Sequence, residues 1–136
     1  MITHLDHIAI AVPDLSEAIV RFAEDFGLDL KGQEDVPSQQ TSTAFFPIQG
    51  TCIELVAPMD GAGPIANALE KRGPGIHHIC FRSNNLLEDI ERLKNKGYRF
   101  IDETPRDGAH GSKVVFIHPK STGGVLIELA EMETRQ

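Results

Sequence analysis

Residues 5–15 read Leu5-Asp6-His7-Ile8-Ala9-Ile10-Ala11-Val12-Pro13-Asp14-Leu15, and the same pattern returns at residues 76–86 as Ile76-His77-His78-Ile79-Cys80-Phe81-Arg82-Ser83-Asn84-Asn85-Leu86. In this alignment His7 falls on His78. The far ends of the two halves match as well, since TCIEL at residues 51–55 corresponds to VLIEL at residues 125–129. Each half therefore opens on a strand with a histidine and closes on a strand with a glutamate, which predicts a duplicated module.

The composition excludes several classes of protein. The chain has 136 residues, enough for one compact domain or for two half-size modules that share one core. A net charge of -7 argues against a nucleic-acid groove but leaves an anionic substrate possible. Two cysteines in apolar strand patterns indicate free thiols in a reducing cytoplasm. No apolar run is long enough to span a bilayer, and residues 1–4 open no signal peptide, so we expect a cytoplasmic protein without membrane contact.

The first element is predicted as a strand over residues 2–12 that has two different faces. The bulky face, which should pack on helices, consists of Ile8, Ile10 and Val12, and the other consists of His7, Ala9 and Ala11. Small side chains around the histidine leave room for something to lie over it. Asp14 and Glu17 form a capping-box pattern for the next helix. Its predicted inward stripe is Leu15, Ala18, Ile19, Phe22 and Phe26, with Gly27 as its end.

The remaining pattern predicts an α+β fold of two tandem β-α-β-β-β modules. In the first module we expect a strand and turn at 28–35 and strands at 41–46 and 52–56, and in the second strands at 76–83, 98–102, 113–118 and 125–130. The second helix is predicted over 86–96 with Leu86, Leu87, Ile90 and Leu93 inward, and a loop at 104–112 carries His110. A connector with a short helix at 65–72 joins the modules. We interpret residues 1–136 as a single domain with module one at about 1–57, the connector at 58–75 and module two at about 76–131.

Strand alternation predicts four polar side chains on the faces that point away from the core. They are His7, Glu54, His78 and Glu128. Two imidazoles and two carboxylates suit a divalent ion such as Zn, Co, Mn, Ni or Fe(II). A lone strand histidine is more often hydrogen-bonded than metal-bound, but both residue types recur at matched places in both halves. The pattern therefore favours one shared metal site, and the repeat and the strand parity favour His78 over His77.

Four segments carry a resemblance to a known family. They are residues 5–14, residues 75–80, GAHG at 108–111 and, most specifically, HPKSTGGVLIEL at 118–129. On these the chain resembles the vicinal-oxygen-chelate superfamily and, within it, the methylmalonyl-CoA epimerase family. The resemblance implies a glyoxalase-like curved mixed sheet around a metal site. It puts His7, His78 and Glu128 on family metal ligands, and Glu54 on a fourth ligand position that is glutamine in some relatives.

The resemblance also implies an activity. The expected reaction is metal-assisted removal and return of the C2 proton of an acyl-CoA, with Glu128 and Glu54 as the catalytic carboxylates and Co, Zn or Mn as the cofactor. Some family members have a glutamate assigned as a base where this chain has Thr43, so a base must lie elsewhere. His110 and Gly111 are expected to bind the substrate's carboxylate end. The expected partner is the acyl-CoA substrate, and we expect a homodimer.

Two other classes of function fit the same residues. One is a different metalloenzyme of this fold: a glyoxalase, a thiol transferase acting on an antibiotic, or an extradiol dioxygenase with Fe(II) on a His-His-Glu set. The other is a non-catalytic module that binds a small molecule. Such a module has no need of four polar metal ligands, and their presence counts against it.

Overall fold

The computed structural model describes residues 1–102 and 104–132. The chain forms two compact units. The His7 unit comprises residues 7–77, and the His78 unit comprises residues 1–6 together with residues from 78 onward. Among the described residues no helix is long and apolar enough to cross a membrane.

The His7 unit contains four strands and two α-helices among its described residues. They are β1 (Ile2–Ala11, which begins in the other unit), α1 (Leu15–Val20), β2 (Gly32–Val36), β3 (Thr41–Ile48), β4 (Thr51–Pro58) and α2 (Pro64–Arg72). The strand order is β2-β3-β4-β1. β3 is antiparallel to β2 and to β4, whereas β1 runs parallel to β4 with Ala9 opposite Glu54. A parallel neighbour requires a crossover, and here the chain passes through α1, β2 and β3 between the two strands.

One face of this sheet forms the main core of the unit. Its buried side chains come from the residue after β1 and from α1, β3 and β4, and they are Val12, Ala18, Ala44, Phe46, Leu55 and Ala57. Ile10 and Val12 of the predicted bulky face therefore pack as expected. Because Phe46 and Leu55 have no exposed surface, truncation of either to alanine should cost about 3–5 kcal/mol.

The opposite face is covered at one end by α2. Ala9, Ala11 and Val56 pack with Ile65 and Leu69 of this helix. The small alanine side chains let α2 pack closely against this end of the face. The rest of this face carries the polar side chains described in the next subsection.

The first helix begins as predicted but ends differently. Asp14 Oδ1 accepts a hydrogen bond from the backbone N–H of Glu17 at 3.0 Å, so the cap is confirmed. After Val20 the helix widens into one π turn, in which the N–H of Phe26 donates to the carbonyl of Arg21 at 3.3 Å. This wider turn rotates Phe26 away from the core, leaving it 64% exposed. The prediction of an inward Phe26 is wrong, because a period of 3.6 does not hold across a π turn.

The His78 unit repeats the plan with the same register. Its elements are β5 (Gly75–Ser83, which begins in the other unit), α3 (Leu86–Asn95), β6 (Arg106–Asp107), β7 (Ser112–Ile117) and β8 (Ile127–Met132). The order is β5-β8-β7-β6, with β5 parallel to β8 and β7 antiparallel to both of its neighbours. Cys80 lies opposite Glu128, just as Ala9 lies opposite Glu54. The duplication inferred from the sequence is thus a duplication of strand pairing as well.

The helix of this unit packs its predicted stripe with one exception. Leu86 and Ile90 are buried against β7 and β8 residues, and Leu93 packs beside them. Leu87 is 70% exposed, so its predicted inward position is wrong. Neighbouring residues on an α-helix point about 100° apart, and Leu86 already occupies the inward position.

The strand predicted at residues 98–102 is also wrong. Only Phe100 forms a bridge, to Ile117, and the added strand is instead the two-residue β6 inside the predicted loop 104–112. Two segments share the outer edge of β7. Phe100 pairs with Ile117 at the end of β7, and Arg106 pairs with Val114 near its start. Neither segment therefore has enough partners for a longer strand.

The first residues of the chain are anchored within the His78 unit. The α-ammonium of Met1 donates to Asn84 Oδ1 at 3.0 Å and lies 3.1 Å from Asp89 Oδ1. Arg82 Nη2 forms an ion pair with Asp6 Oδ1 at 2.6 Å. The beginning of β1 thus contributes charged contacts to one unit, while its end contributes apolar contacts to the other.

Candidate metal centre

The first polar pair lies on the face of the His7 unit that points away from its main core. His7 Nδ1 is 3.0 Å from Glu54 Oε2, and both side chains are about nine-tenths buried or more. The parallel register explains the contact, because Glu54 is opposite Ala9 and His7 is the previous residue on the same face of β1. A carboxylate removed from water needs such a polar or cationic partner.

The second pair repeats this arrangement in the His78 unit. His78 Nε2 is 2.9 Å from Glu128 Oε1, with 8% and 5% of the two residues exposed. Glu128 is opposite Cys80, and His78 is the previous residue on that face of β5. The four candidate ligands are therefore brought together as two His–Glu pairs, one in each unit.

An aromatic side chain faces each glutamate from the neighbouring antiparallel strand. Phe45 lies opposite Glu54, and Phe116 lies opposite Glu128. The Phe116 ring meets the His78 ring edge-on, with centroids 5.3 Å apart and an interplanar angle of 87°. Rings beside the pairs limit the access of water, which strengthens electrostatic interactions there.

The two adjacent histidines of β5 have different surroundings. His78 is buried and contacts Glu128, whereas His77 is half-buried. His77 lines a small cavity of about 150 Å³ together with Ala11, Ala68 and residues 72–76. Strand alternation accounts for this difference, since successive side chains point to opposite faces.

His110 and Gly111 lie in a single 3₁₀ turn between β6 and β7, and both are exposed. His110 has a left-handed backbone with φ of 57°. The turn is held by Gly108, whose N–H donates to the carbonyl of Ser112 at 3.0 Å. The two predicted substrate-binding residues thus sit on an exposed turn, in contrast to the buried pair of the same unit.

Sequence analysis did not identify Arg106. This residue is opposite Val114, and Val114 is opposite Ala130, so Arg106 lies on the same face of the sheet as His78 and Glu128. Its guanidinium carbon is 5.9 Å from the centroid of the Phe116 ring. Because its segment was predicted to be a loop, no strand parity could assign Arg106 to a face.

Thr43 is buried on the same face as Glu54 in the His7 unit. A hydroxyl does not ionise near neutral pH, so Thr43 is not suited to act as a base. The residue opposite Thr43 on β2 is Glu34, which is half-buried. Glu34 was not singled out from the sequence, because β2 was predicted only as a strand and turn without a defined register.

The donor set of each pair fits a divalent metal ion. Each unit supplies one imidazole and one carboxylate, which are ligands that Zn, Co, Mn and Fe(II) all accept in proteins. All four side chains are buried, and in each pair a ring nitrogen and a carboxylate oxygen lie at about 3 Å. Arrangements of this kind can stabilise negative charge on a bound oxygen and can accept a proton at a carboxylate.

Comparisons with known proteins give a consistent result over nearly the whole chain. The sequence model of the Glyoxalase/Bleomycin resistance protein/Dioxygenase superfamily matches residues 6–116. An ethylmalonyl-CoA/methylmalonyl-CoA epimerase of Cereibacter sphaeroides is 40% identical over 134 residues, which cover 97% of this chain and 100% of that protein.

Solved structures agree with the sequence comparisons. The crystal structure of methylmalonyl-CoA epimerase from Mycobacterium tuberculosis is 41% identical, with a TM-score of 0.92 over 98% of this chain and 90% of that one. A methylmalonyl-CoA epimerase in complex with methylmalonyl-CoA and NH4+ is 30% identical, with a TM-score of 0.93 over 98% and 97% of the two chains. The expected glyoxalase-like fold is confirmed by these similarities.

Proposed function

The chain belongs to the Glyoxalase/Bleomycin resistance protein/Dioxygenase superfamily, and we propose that it is a methylmalonyl-CoA epimerase, an isomerase that interconverts the two C2 epimers of its acyl-CoA substrate. One observation carries the proposal: the chain is about 40% identical to named epimerases of this substrate over nearly its full length. The buried His–Glu pairs supply the chemistry that such a reaction needs.

The proposed metal ligands are His7, Glu54, His78 and Glu128. Their residue types and burial support the binding of a divalent ion, with Co, Zn or Mn as the candidates. When bound, the ion would supply a Lewis acid to the substrate's carbonyl group, which lowers the pKa of the adjacent C2 hydrogen. The superfamily membership supports a bound metal ion, and elemental analysis of the purified protein would identify that ion.

Proton transfer is assigned to the two glutamates. Inversion at C2 requires that a proton leave one face of the carbon and that another arrive on the opposite face. We assign removal to a carboxylate oxygen of Glu128 and return to Glu54. The two residues occupy equivalent positions in the two modules, each beside the histidine of its own unit.

Substrate binding is assigned in part to His110 and Gly111. Their exposed turn could bind a group that enters from solvent. In this assignment the turn binds the carboxylate end of the acyl group.

Hydrogen exchange at C2 tests the proposed reaction. In D2O the enzyme should replace the C2 hydrogen of methylmalonyl-CoA by deuterium as it epimerises the substrate, seen as loss of the C2 proton NMR signal. Chelator should abolish the exchange, and Co or Zn should restore it. Persistence of the signal with metal-loaded enzyme in excess would rule out the epimerase. Assays with the methylglyoxal–glutathione adduct and with catechols would then separate a glyoxalase from an extradiol dioxygenase.

We further propose that the enzyme acts as a homodimer in the cytoplasm and that residues 1–136 form one domain. Light scattering of the purified protein should give twice the mass of 14.9 kDa. A single calorimetric unfolding transition is expected if both modules share one cooperative core. Two separated transitions would contradict the single domain.

A further inference from the structure

A half-buried cation lies at the outer edge of the site face of the His78 unit. Arg106 is on β6, the outermost strand, and its side chain is 39% exposed. Nη2 of Arg106 is 3.1 Å from Asp102 Oδ2. The rest of the guanidinium lies over the Phe116 ring, a position in which a cation gains from the negative face of the ring.

This guanidinium has an unused hydrogen-bond donor. Nε of Arg106 is buried, and it donates to no acceptor among residues 1–102 and 104–132. Oδ2 of Asp102 also has no hydrogen bond within these ranges, so its contact with Nη2 is an ion pair without hydrogen-bond geometry. Buried N–H groups in folded proteins nearly always have an acceptor, so a ligand that brings one would be favoured here.

Arg106 is one side chain away from the candidate metal ligands. The Phe116 ring is 5.9 Å from its guanidinium carbon and 5.3 Å from the His78 ring. A group that spans this ring could contact His78 or Glu128 at one end and Arg106 at the other. The acyl part of a malonyl thioester has an oxygen group at each end, because only one carbon separates its thioester carbonyl from its carboxylate.

The cation is not a by-product of the duplication. The matching position in the His7 unit, opposite Thr43 on β2, is Glu34, which is a carboxylate. The strand pairing of the two units is the same, but the charge at this position is opposite. The strand pairing alone therefore does not require a cation at this position.

We propose that Arg106 binds the free carboxylate of the substrate and thereby selects acyl-CoA substrates that carry a carboxylate at C2. The inference rests on the proposed function, since it names the group that the same site recognises. Arginine matches a carboxylate oxygen through charge-assisted hydrogen bonds, and these are about twice as strong as neutral ones. The turn with His110 and Gly111, assigned to the same carboxylate, follows Arg106 in the same hairpin.

The test compares two ligands that differ in this one group. Methylmalonyl-CoA and propionyl-CoA share the coenzyme A moiety and the thioester, but propionyl-CoA lacks the carboxylate. In the metal-loaded protein, Arg106→Gln should weaken methylmalonyl-CoA binding at least tenfold, measured by calorimetry or as KM. Propionyl-CoA, measured as a competitive inhibitor, should bind to Arg106→Gln as it does to the wild type. Arg106→Lys should lie between the two proteins, because it keeps the charge but loses the planar fork.

Controls distinguish an effect of Arg106 on the carboxylate from an effect on the phosphates of coenzyme A. Arg99→Gln removes an exposed arginine of the same unit and should leave both affinities unchanged. A methylmalonyl thioester of pantetheine, which has no phosphates, should still show the effect of Arg106→Gln. Equal weakening of methylmalonyl-CoA and propionyl-CoA, or an effect that disappears with the pantetheine thioester, would overturn the proposal. Failure of the wild type to exchange deuterium at C2 would instead count against the proposed function.

Discussion

Each glutamate of the candidate site is buried beside one histidine, and this pairing is the central feature at the scale of single residues. Glu54 and Glu128 are each at least nine-tenths buried. Burial is costly for a carboxylate unless a cation or a metal compensates its charge. A neutral imidazole at about 3 Å compensates the charge of the carboxylate only in part. The pairs are therefore expected to gain stability from a bound divalent ion.

Metal binding can be tested at the histidines. Because His7 and His78 each supply one imidazole to the proposed site, His7→Ala and His78→Ala should lose most of the metal. The wild type should hold about one divalent ion per chain, measured by elemental analysis after dialysis. His77→Ala is the matched control, since it removes a neighbouring histidine on the opposite face of β5, and it should retain its metal. Loss of metal from His77→Ala alone would overturn the assignment of His78.

The role of Glu128 can be separated from metal binding by a single change of one atom. Glu128→Gln should keep a weakened metal, because an amide oxygen can still be a ligand, but an amide cannot accept the C2 proton. Deuterium exchange at C2 should fall by about 10²–10⁴-fold, the usual contribution of a general base. Metal content measured on the same preparation is the control. Full exchange in this variant would remove Glu128 from the mechanism.

At the scale of elements, the β6–β7 hairpin is held in shape by Gly108. A Cβ at this position would lie 2.6 Å from Ser112 Oγ and 2.7 Å from a methyl group of Val114. These contacts leave no room for alanine without a shift of the hairpin that carries Arg106, His110 and Gly111. The absence of a side chain at Gly108 is thus a steric requirement of the close packing between β6 and β7.

Gly108→Ala should destabilise the protein by about 1–3 kcal/mol, the usual cost of overpacking, and should weaken substrate binding through the displaced hairpin. Chemical denaturation and calorimetric titration measure the two effects. Gly32→Ala is the matched control, because a Cβ there meets nothing within 4 Å and its backbone is not in the left-handed region. It should change stability by less than about 0.5 kcal/mol. Equal stability of both variants would show that the hairpin adapts freely.

At the scale of the whole molecule, a buried acid holds three parts of the His78 unit together. Asp89 of α3 has no exposed surface and interacts with Ser83 of β5, Arg92 of its own helix and the α-ammonium of Met1. Burial by itself raises the pKa of Asp89, but the hydrogen bonds from these three groups, with the charge of the ammonium, outweigh it. The pKa of Asp89 therefore lies below its ordinary value of 3.8.

This shift predicts how the free energy of unfolding depends on pH. A carboxyl whose pKa is lower in the folded state stabilises the protein above its unfolded pKa, and this stability is lost as the pH falls through the folded pKa. At pH 7 Asp89→Asn should be less stable than the wild type by about 1–3 kcal/mol, the cost of hydrogen bonds lost from a charged group. The difference should shrink as the pH falls below about 4, near the unfolded value. Denaturant titrations at pH 7 and pH 3 measure it.

Asp60→Asn is the control for this pH dependence. Asp60 is an exposed carboxylate of the connector, so its replacement should leave the stability unchanged at both pH values. A difference between wild type and Asp89→Asn that stays constant from pH 7 to pH 3 would contradict the lowered pKa. It would then reflect packing around Asp89 rather than its charge.

The duplicated fold and the four candidate ligands could be predicted from the chain alone. His7, Glu54, His78 and Glu128 lie in strands with clear alternation, and a period of two decides which face each side chain occupies. The cap at Asp14 was predictable for a similar reason, since it depends on residues three positions apart. Their proposed role as ligands of one metal stays a prediction.

Only the tertiary structure decided which side chains surround these four. The predicted strand at residues 98–102 and the inward positions of Phe26 and Leu87 are wrong, and neither Arg106 nor Glu34 could be assigned to the site face. Arg106 lies in a two-residue strand that exists because β7 offers it hydrogen bonds, and Phe26 is turned outward by one π turn. Local sequence encodes the periodicity of long elements, whereas short edge strands and irregular turns take their conformation from the partners against which they fold.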